Sequence, residues 1–266
     1  MTARPRHDTW PRLPLAGYPV TALTREQLMA QLLDDLDRCR RRILFFVNTN
    51  FVNQCAHLMP GLRQPEVILV NDGVGMDIAS LLVHRRRYPD NLNGTDFVPA
   101  LLDAVTERHP RGTAPPSVFM LGAAPGVARR AARVLGDRGV AVAGTLDGYQ
   151  ESADDERTVA AINASGADIV LVATGNPRQE TWILQHATAL QARLLIGVGA
   201  LLDFLAGEKP RAPETIRRLR LEWLYRLSLE PRRLARRYTV DIGRFLVRCL
   251  RDRAAGPDPA GQGSRN

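Results

Sequence analysis

Four short loops in this 266-residue chain hold the residue types that do chemistry. Asp72 stands between Asn71 and Gly73, directly after the apolar run "VILV" (67–70). A carboxylate at the end of a buried strand can accept a proton from a nucleophilic hydroxyl; the plainer alternative is that it caps the next helix. The loop "GNPRQE" (175–180) follows the run "DIVLV" (168–172). Glycine and proline impose a sharp turn there, and a helix opening just after it leaves backbone N–H groups free to hold an anion. "GAAPG" (122–126), again between an apolar run and a helical segment, can cradle a phosphate or simply close the turn. "NTN" (48–50) is the fourth loop.

Other candidate motifs carry less. The five histidines (7, 57, 84, 109 and 186) have no metal-ligand spacing, so a metal-free mechanism is the simpler expectation. "GVGALLDF" lacks the third glycine of a dinucleotide fingerprint. Asp35-Leu36-Asp37 has the D-x-D form of a metal site but lies inside a helical segment, and reads as a solvated face. Cys39, Cys55 and Cys249 are odd in number, with no C-x-x-C pair, and read as buried or inert thiols in a reducing compartment.

The elements that must position these loops are legible as alternation. Apolar runs at 43–47, 67–70, 118–121, 140–144, 168–172 and 194–198 are mostly separated by segments of helical periodicity. Unbroken apolar strands alternating with helices predict an α/β, Rossmann-like fold, with a largely parallel sheet covered by helices on both faces. Ligands in such sheets bind beyond the carboxyl ends of the strands, where the four loops fall. Thr24 with Gln27 predicts a capping box opening a first helix to about Arg40. Residues 1–20 read as a frayed tail, 21–205 as the α/β core, 206–253 as a basic helical appendage, and 254–266 as a disordered tail.

Charge separates the appendage from the rest. Residues 209–253 hold 14 of the 36 basic side chains and 5 of the 28 acidic ones, a surplus of +9 in a chain of net +8. Such a patch expects an anionic partner: phosphate, nucleic acid or an anionic membrane surface. On a helical wheel of 232–251, Leu234, Tyr238, Ile242, Phe245, Leu246 and Cys249 share one side, opposite Arg233, Arg237, Arg244, Arg248 and Arg251. That pattern fits a surface helix packed on the core or one lying at a membrane interface. No segment has the roughly 20 apolar residues of a membrane span, and the N-terminal region lacks the apolar core of a secretory signal.

Taken together, "VNDGVGMDIAS", "NGTD", "LGAAPGVARRAARVL", "DGY", "ADIVLVATGNPRQETWI", "GVGALLDFLAGEKPRAP" and "LEWLYRLSLEPRRLARR" resemble, in order and approximate spacing, the WecG/TagA/CpsF glycosyltransferases. The resemblance runs from about residue 20 to 250. It implies an inverting, metal-independent enzyme, without a cofactor, that moves a sugar from a UDP-sugar donor to an acceptor on undecaprenyl diphosphate. It further implies a cytoplasmic protein held peripherally on the inner face of the cytoplasmic membrane. Asp72 then resembles the general base, Asn48 and Asn50 its polar neighbours, and Gln179 a ligand of the substrate. Arg226, Arg233 and Arg236 resemble appendage arginines that close over the site and meet the diphosphate, where arginine suits phosphate oxygens. Nucleic acid is not an expected partner, and a homo-oligomer in solution stays open.

The chain departs from the family pattern at Asn91, where many relatives carry arginine, at Asn48, where threonine is common, and at Arg220, in place of a frequent glycine. These departures leave the donor sugar open. Two other classes compete with this reading. A different nucleotide-binding α/β enzyme, such as a methyltransferase using "LGAAPG", would bind S-adenosylmethionine instead of UDP. A nucleic-acid-binding protein would use the basic segment on phosphates, but leaves Asp72 and "GNPRQE" unexplained.

Overall fold

The computed structural model describes residues 10–109, 114–148, 154–213, 215–216, 222–229 and 240–255. Helix α1 (Arg25–Asp37) opens on the expected capping box, in which the Thr24 side chain accepts from Gln27 N–H and the Gln27 side chain accepts from Thr24 N–H. The strands are β1 (Arg42–Val47), β2 (Val67–Asn71), β3 (Val118–Gly122), β4 (Val142–Leu146), β5 (Ile169–Ala173) and β6 (Leu194–Gly197). All neighbours pair in parallel, in the order β2-β1-β6-β5-β3-β4. The fold is the expected α/β one. Strand β5 is displaced by one residue and β4 by two: Val140 lies in the turn that closes the preceding helix, where its N–H bonds to Leu135 O.

The unbroken apolar runs follow from two-sided burial. Successive residues of a strand point to opposite faces, so Leu44 and Phe46 of β1 enter one core cluster while Ile43, Phe45 and Val47 enter the other. Helices α1, α5 (Gly94–Arg108), α6 (Val127–Asp137) and α9 (Leu201–Leu205) contribute to the first cluster. Helices α2 (Thr49–Gln54), α4 (Val74–His84) and α8 (Arg178–His186) contribute to the second. A short α3 (Met59–Leu62) and α7 (Asp155–Ala164) complete the described helices of the α/β part.

Several expectations change. Residues 10–20, read as a frayed tail, are built into the fold: Leu15, Tyr18 and Val20 are buried, and the Tyr18 hydroxyl donates to Val52 O at 3.0 Å. Antiparallel bridges Arg12–Thr21 and Leu15–Tyr18 fold the segment on itself, and Thr21 pairs with Val70 beside β2. Asp35 is not solvated; it is buried, and Arg42 Nε lies 2.6 Å from its carboxylate. Cys55 and Cys249 are buried, but Cys39 is exposed.

In the basic C-terminal region, α10 (Glu222–Leu229) and α11 (Ile242–Ala255) are described. Helix α11 packs against α2 and α4, with Phe245 and Cys249 buried in the second cluster. The apolar side of the wheel therefore faces the core across this stretch. Arg248, placed on the solvated side, instead donates to Val52 O and lies over the Tyr18 ring.

Candidate active site

The carboxyl ends of β1, β2, β5 and β6 bring the notable loops together. Asp72 continues β2 by one residue, its N–H donating to Val47 O at 2.8 Å. The N-cap of α4 is Gly73, so Asp72 stands one residue before the cap. Gly73 N–H is held by Asn91 Oδ1 at 2.7 Å; the residue that departs from the family pattern thus pins the turn after Asp72.

Asn48 joins two tasks. As N-cap of α2 its Oδ1 accepts from Phe51 N–H, which fixes the amide so that Nδ2 donates to Asp72 Oδ2 at 3.3 Å. A threonine hydroxyl could also accept one bond and donate another, which explains how the two residue types exchange at this position. Asn50 reaches across to the "GNPRQE" loop, where its Nδ2 lies 3.5 Å from Asn176 Oδ1.

Beneath that loop the bonds continue inward. Gln179 is almost fully buried, with Nε2 donating to Glu180 Oε1 at 2.7 Å and Oε1 accepting from Gly199 N–H at 3.0 Å. Room for it comes from Gly197, where a Cβ would stand 3.0 Å from both Gln179 Nε2 and the Phe45 ring. Glu180 also accepts from Asn176 Nδ2 at 2.6 Å, and Cys55 Sγ lies 3.8 Å from its other oxygen. Burial pushes the Glu180 carboxyl up to about 7, against the lowering effect of its bonds to Gln179, Asn176 and Cys55. The Cys55 thiol is raised by burial and by the neighbouring Glu180 charge.

A second feature lies between β3 and β5. The connection after β3 leads outward to β4 and that after β5 leads back to β6, so the strand order reverses here, where α/β sheets bind ligands. A crevice of about 200 Å³ opens at this point, lined by Ala123, Gly148, Thr174, Arg178 and Trp182 among others. Thr174 Oγ1 is buried without a hydrogen-bond partner among the described residues. The strands meet closely because Gly122 lacks a side chain: a Cβ there would stand 2.7 Å from the Ala173 backbone. The N-termini of α6 and α8 both begin in the loops flanking this crevice. From β5, its near wall, to the strand that ends at Asp72 is three strand spacings, about 14 Å.

The "RAP" and "NGTD" blocks also meet. Arg211 donates to Thr95 Oγ1 at 3.2 Å and pairs with Asp96 at 2.8 Å, tying the chain after α9 to the start of α5. A cavity of about 290 Å³ opens there.

Of the sequence-designated residues, Asp72 and Asn48 touch, and Asn50 and Gln179 are joined through Asn176 and Glu180. Arg226 lies on α10, whereas Arg233 and Arg236 fall outside the described residues. The sequence marked Asn91 only as a departure from the family pattern, and gave Asn176 and Glu180, inside the "GNPRQE" loop, no role of their own. An acidic residue in the first helical turn reads as an exposed partner of the helix dipole, so Glu180 gives no signal of its burial. Among the described residues no cluster of three His, Cys, Asp or Glu side chains could hold a metal ion.

Comparison with known proteins follows the same boundaries. Residues 13–258 match the family model described as "Glycosyl transferase WecG/TagA/CpsF family". Two similar curated proteins, from Staphylococcus aureus strains MRSA252 and NCTC 8325 / PS 47, are each 30% identical over 181 residues. The match covers 67% of this chain and 68% of each relative. Both carry the name N-acetylglucosaminyldiphosphoundecaprenol N-acetyl-beta-D-mannosaminyltransferase.

Proposed function

The chain belongs to the WecG/TagA/CpsF glycosyltransferase family, and on that premise we propose that it moves a hexose or N-acetylhexosamine from a UDP-sugar to a sugar carried on undecaprenyl diphosphate. The product serves bacterial cell-surface polysaccharide synthesis. The observation that carries this reading is the pairing of Asp72 with Asn48 at the carboxyl edge of the sheet, three strands from a crevice at the point of strand reversal. The nucleotide takes the crevice, and the diphosphate and sugar extend over β6 toward Asp72.

Asp72 accepts the proton of the acceptor hydroxyl as its oxygen attacks the anomeric carbon from the side opposite the leaving group. The bond from that carbon to the phosphate oxygen breaks, UDP departs, and the configuration inverts. The Asn48 side-chain amide, donating from Nδ2, keeps the carboxylate aimed. Charge growing on the departing diphosphate is stabilised by Arg226, Arg233 and Arg236 in place of a metal ion, through paired guanidinium donors.

The acceptor is lipid-linked, so the protein meets a membrane peripherally; no described helix is long and apolar enough to cross one. The docking face is α4 with α11. Ile78, Leu81, Leu82, Val247 and Leu250 are all exposed on these packed helices, with Arg85, Arg86 and Arg87 exposed beside them. Apolar residues beside arginines match an anionic lipid surface. Helix α4 starts at Val74, two residues after Asp72, so docking it would bring a lipid diphosphate toward the base.

The test is transfer from a panel of UDP-sugars, UDP-N-acetylmannosamine first, to a lipid-diphosphate N-acetylglucosamine acceptor, with and without a metal chelator. Product formed in both conditions is expected. Absence of transfer and hydrolysis for every donor would overturn the reading, and chelator-sensitive activity restored by Mg²⁺ or Mn²⁺ would overturn its metal-free part.

A further inference from the structure

We propose that Glu180 is a positioning residue that sets which way the amides of Asn176 and Gln179 face, and through Asn176 that of Asn50. The proposal rests on the glycosyl-transfer reading of the site. Glu180 is 1% exposed, on the first turn of α8, and one of its oxygens takes both amide nitrogens, Asn176 Nδ2 at 2.6 Å and Gln179 Nε2 at 2.7 Å. Its other oxygen faces Cys55 Sγ at 3.8 Å. An ionised carboxyl only accepts hydrogen bonds, and a protonated one with its hydrogen on the Cys55 side leaves the first oxygen an acceptor still. Both amides must therefore turn their NH₂ groups inward and their carbonyl oxygens outward.

The outward side is where the consequence falls. Asn176 Oδ1 meets Asn50 Nδ2, and Gln179 Oε1 takes Gly199 N–H at the end of β6. Amide groups are nearly symmetric in shape, so a half-turn costs little sterically and exchanges donor for acceptor at the same place. Without the carboxyl, Asn176 and with it Asn50 would sample both faces, outward acceptors would be replaced by donors part of the time, and Gln179 would be held by Gly199 N–H alone. Burying a carboxyl is expensive. A group buried at that cost at the sheet's carboxyl edge, bonded to two polar side chains, acts on their orientation.

The experiment compares Glu180→Gln with Glu180→Leu in the full chain. Donor KM and kcat are measured in the transfer assay, and UDP affinity through Trp182, which lines the crevice. Glutamine keeps an acceptor oxygen toward both amides and can donate to Cys55, so donor KM and kcat should stay within about threefold of the parent. Leucine removes the inward partner of both amides, and donor KM should rise about tenfold in a protein with unchanged helix content. A folded Glu180→Leu protein with the parent's KM and kcat overturns the proposal. So does a Glu180→Gln protein as impaired as Glu180→Leu, since the charge and not the acceptor geometry would then matter. If Glu180→Leu does not fold, Asn176→Leu cuts only the arm to Asn50; a rise of about tenfold in donor KM supports the proposal, and an unchanged KM overturns it. A parent protein that neither binds UDP nor transfers sugar refutes the function reading, and this inference falls with it.

Discussion

The polar cluster that forms a floor along the sheet's carboxyl edge, from Asn48 to Glu180, and the basic C-terminal region solve opposite problems. In the floor, Asn48, Asn50, Asn176 and Gln179 each have a partner among the others, Asp72, Glu180 or the backbone. It is organised before any substrate arrives. In the C-terminal region the arginines outnumber nearby acids, and the described ones divide by use: Arg248 is spent on Val52 O and the Tyr18 ring, while Arg244 and Arg251 are exposed. The contrast teaches a division of labour. In the proposed reaction the sheet edge would supply direction at fixed positions, and the C-terminal region would supply charge.

The comparison breaks first at Asp72. If direction resides in the sheet edge, Asp72→Asn should lower transfer by about 10²–10⁴-fold while UDP affinity, read through Trp182, hardly changes. Near-normal turnover in a folded Asp72→Asn protein would remove Asp72 from the chemistry. The counterpart on the charge side is Arg233→Ala with Arg236→Ala. Loss of about a hundredfold in kcat is expected, with vesicle binding largely kept because other arginines remain. Equal activity would mean that the diphosphate is stabilised elsewhere, with the exposed Arg178 at the crevice the next residue to test.

The floor was only partly legible in the sequence. Strands, helix alternation and the four loops follow from short-range patterns, because two-sided burial writes itself as unbroken apolar runs. Asp72 and Asn48 could be picked out because they sit at strand ends. Glu180 could not, since its burial depends on Cys55, 125 residues away, and on the parallel sheet that closes over it. The same reason hid Asp35, whose partner Arg42 lies in the next element. It also hid residues 10–20, where no periodicity announces that Tyr18 fills the second cluster.

A third prediction sharpens what the preorganised floor costs. Burial holds the Glu180 carboxyl at about 7 in the folded protein, against an ordinary value of 4.5. Below pH 4.5 both states hold the proton and there is no penalty. As pH rises from there through 7, the unfolded chain releases its proton while the folded one retains it, so stability falls by up to about 3 kcal/mol. Glu180→Gln should be flat in this window. Urea unfolding at pH 5 and pH 8 should therefore show the variant gaining on the parent at pH 8. An equal difference at both pH values would mean the carboxyl is not desolvated as described.

The smallest expected effect separates docking from charge on the C-terminal side. Truncation before Ala206 is an unsuitable test, because it strips Phe245 and Cys249 from the second cluster and lays bare the core behind α2 and α4. Point changes on the outer face avoid this. Leu81 and Leu82 are 44% and 48% exposed, so replacing both with serine removes apolar surface without opening a core cavity. An interfacial helix gains from apolar burial and from roughly 1 kcal/mol per basic residue near an anionic surface. The arginines around α4 and α11 persist in this variant, and binding to anionic vesicles should weaken by about tenfold, without vanishing. Turnover on a short-chain, water-soluble acceptor should be unchanged, because Asp72 and the floor are untouched. Vesicle binding equal to the parent's would move the membrane contact off α4 and onto the basic segment alone, and the division of labour would then run entirely along the chain instead of through the shared α4–α11 face.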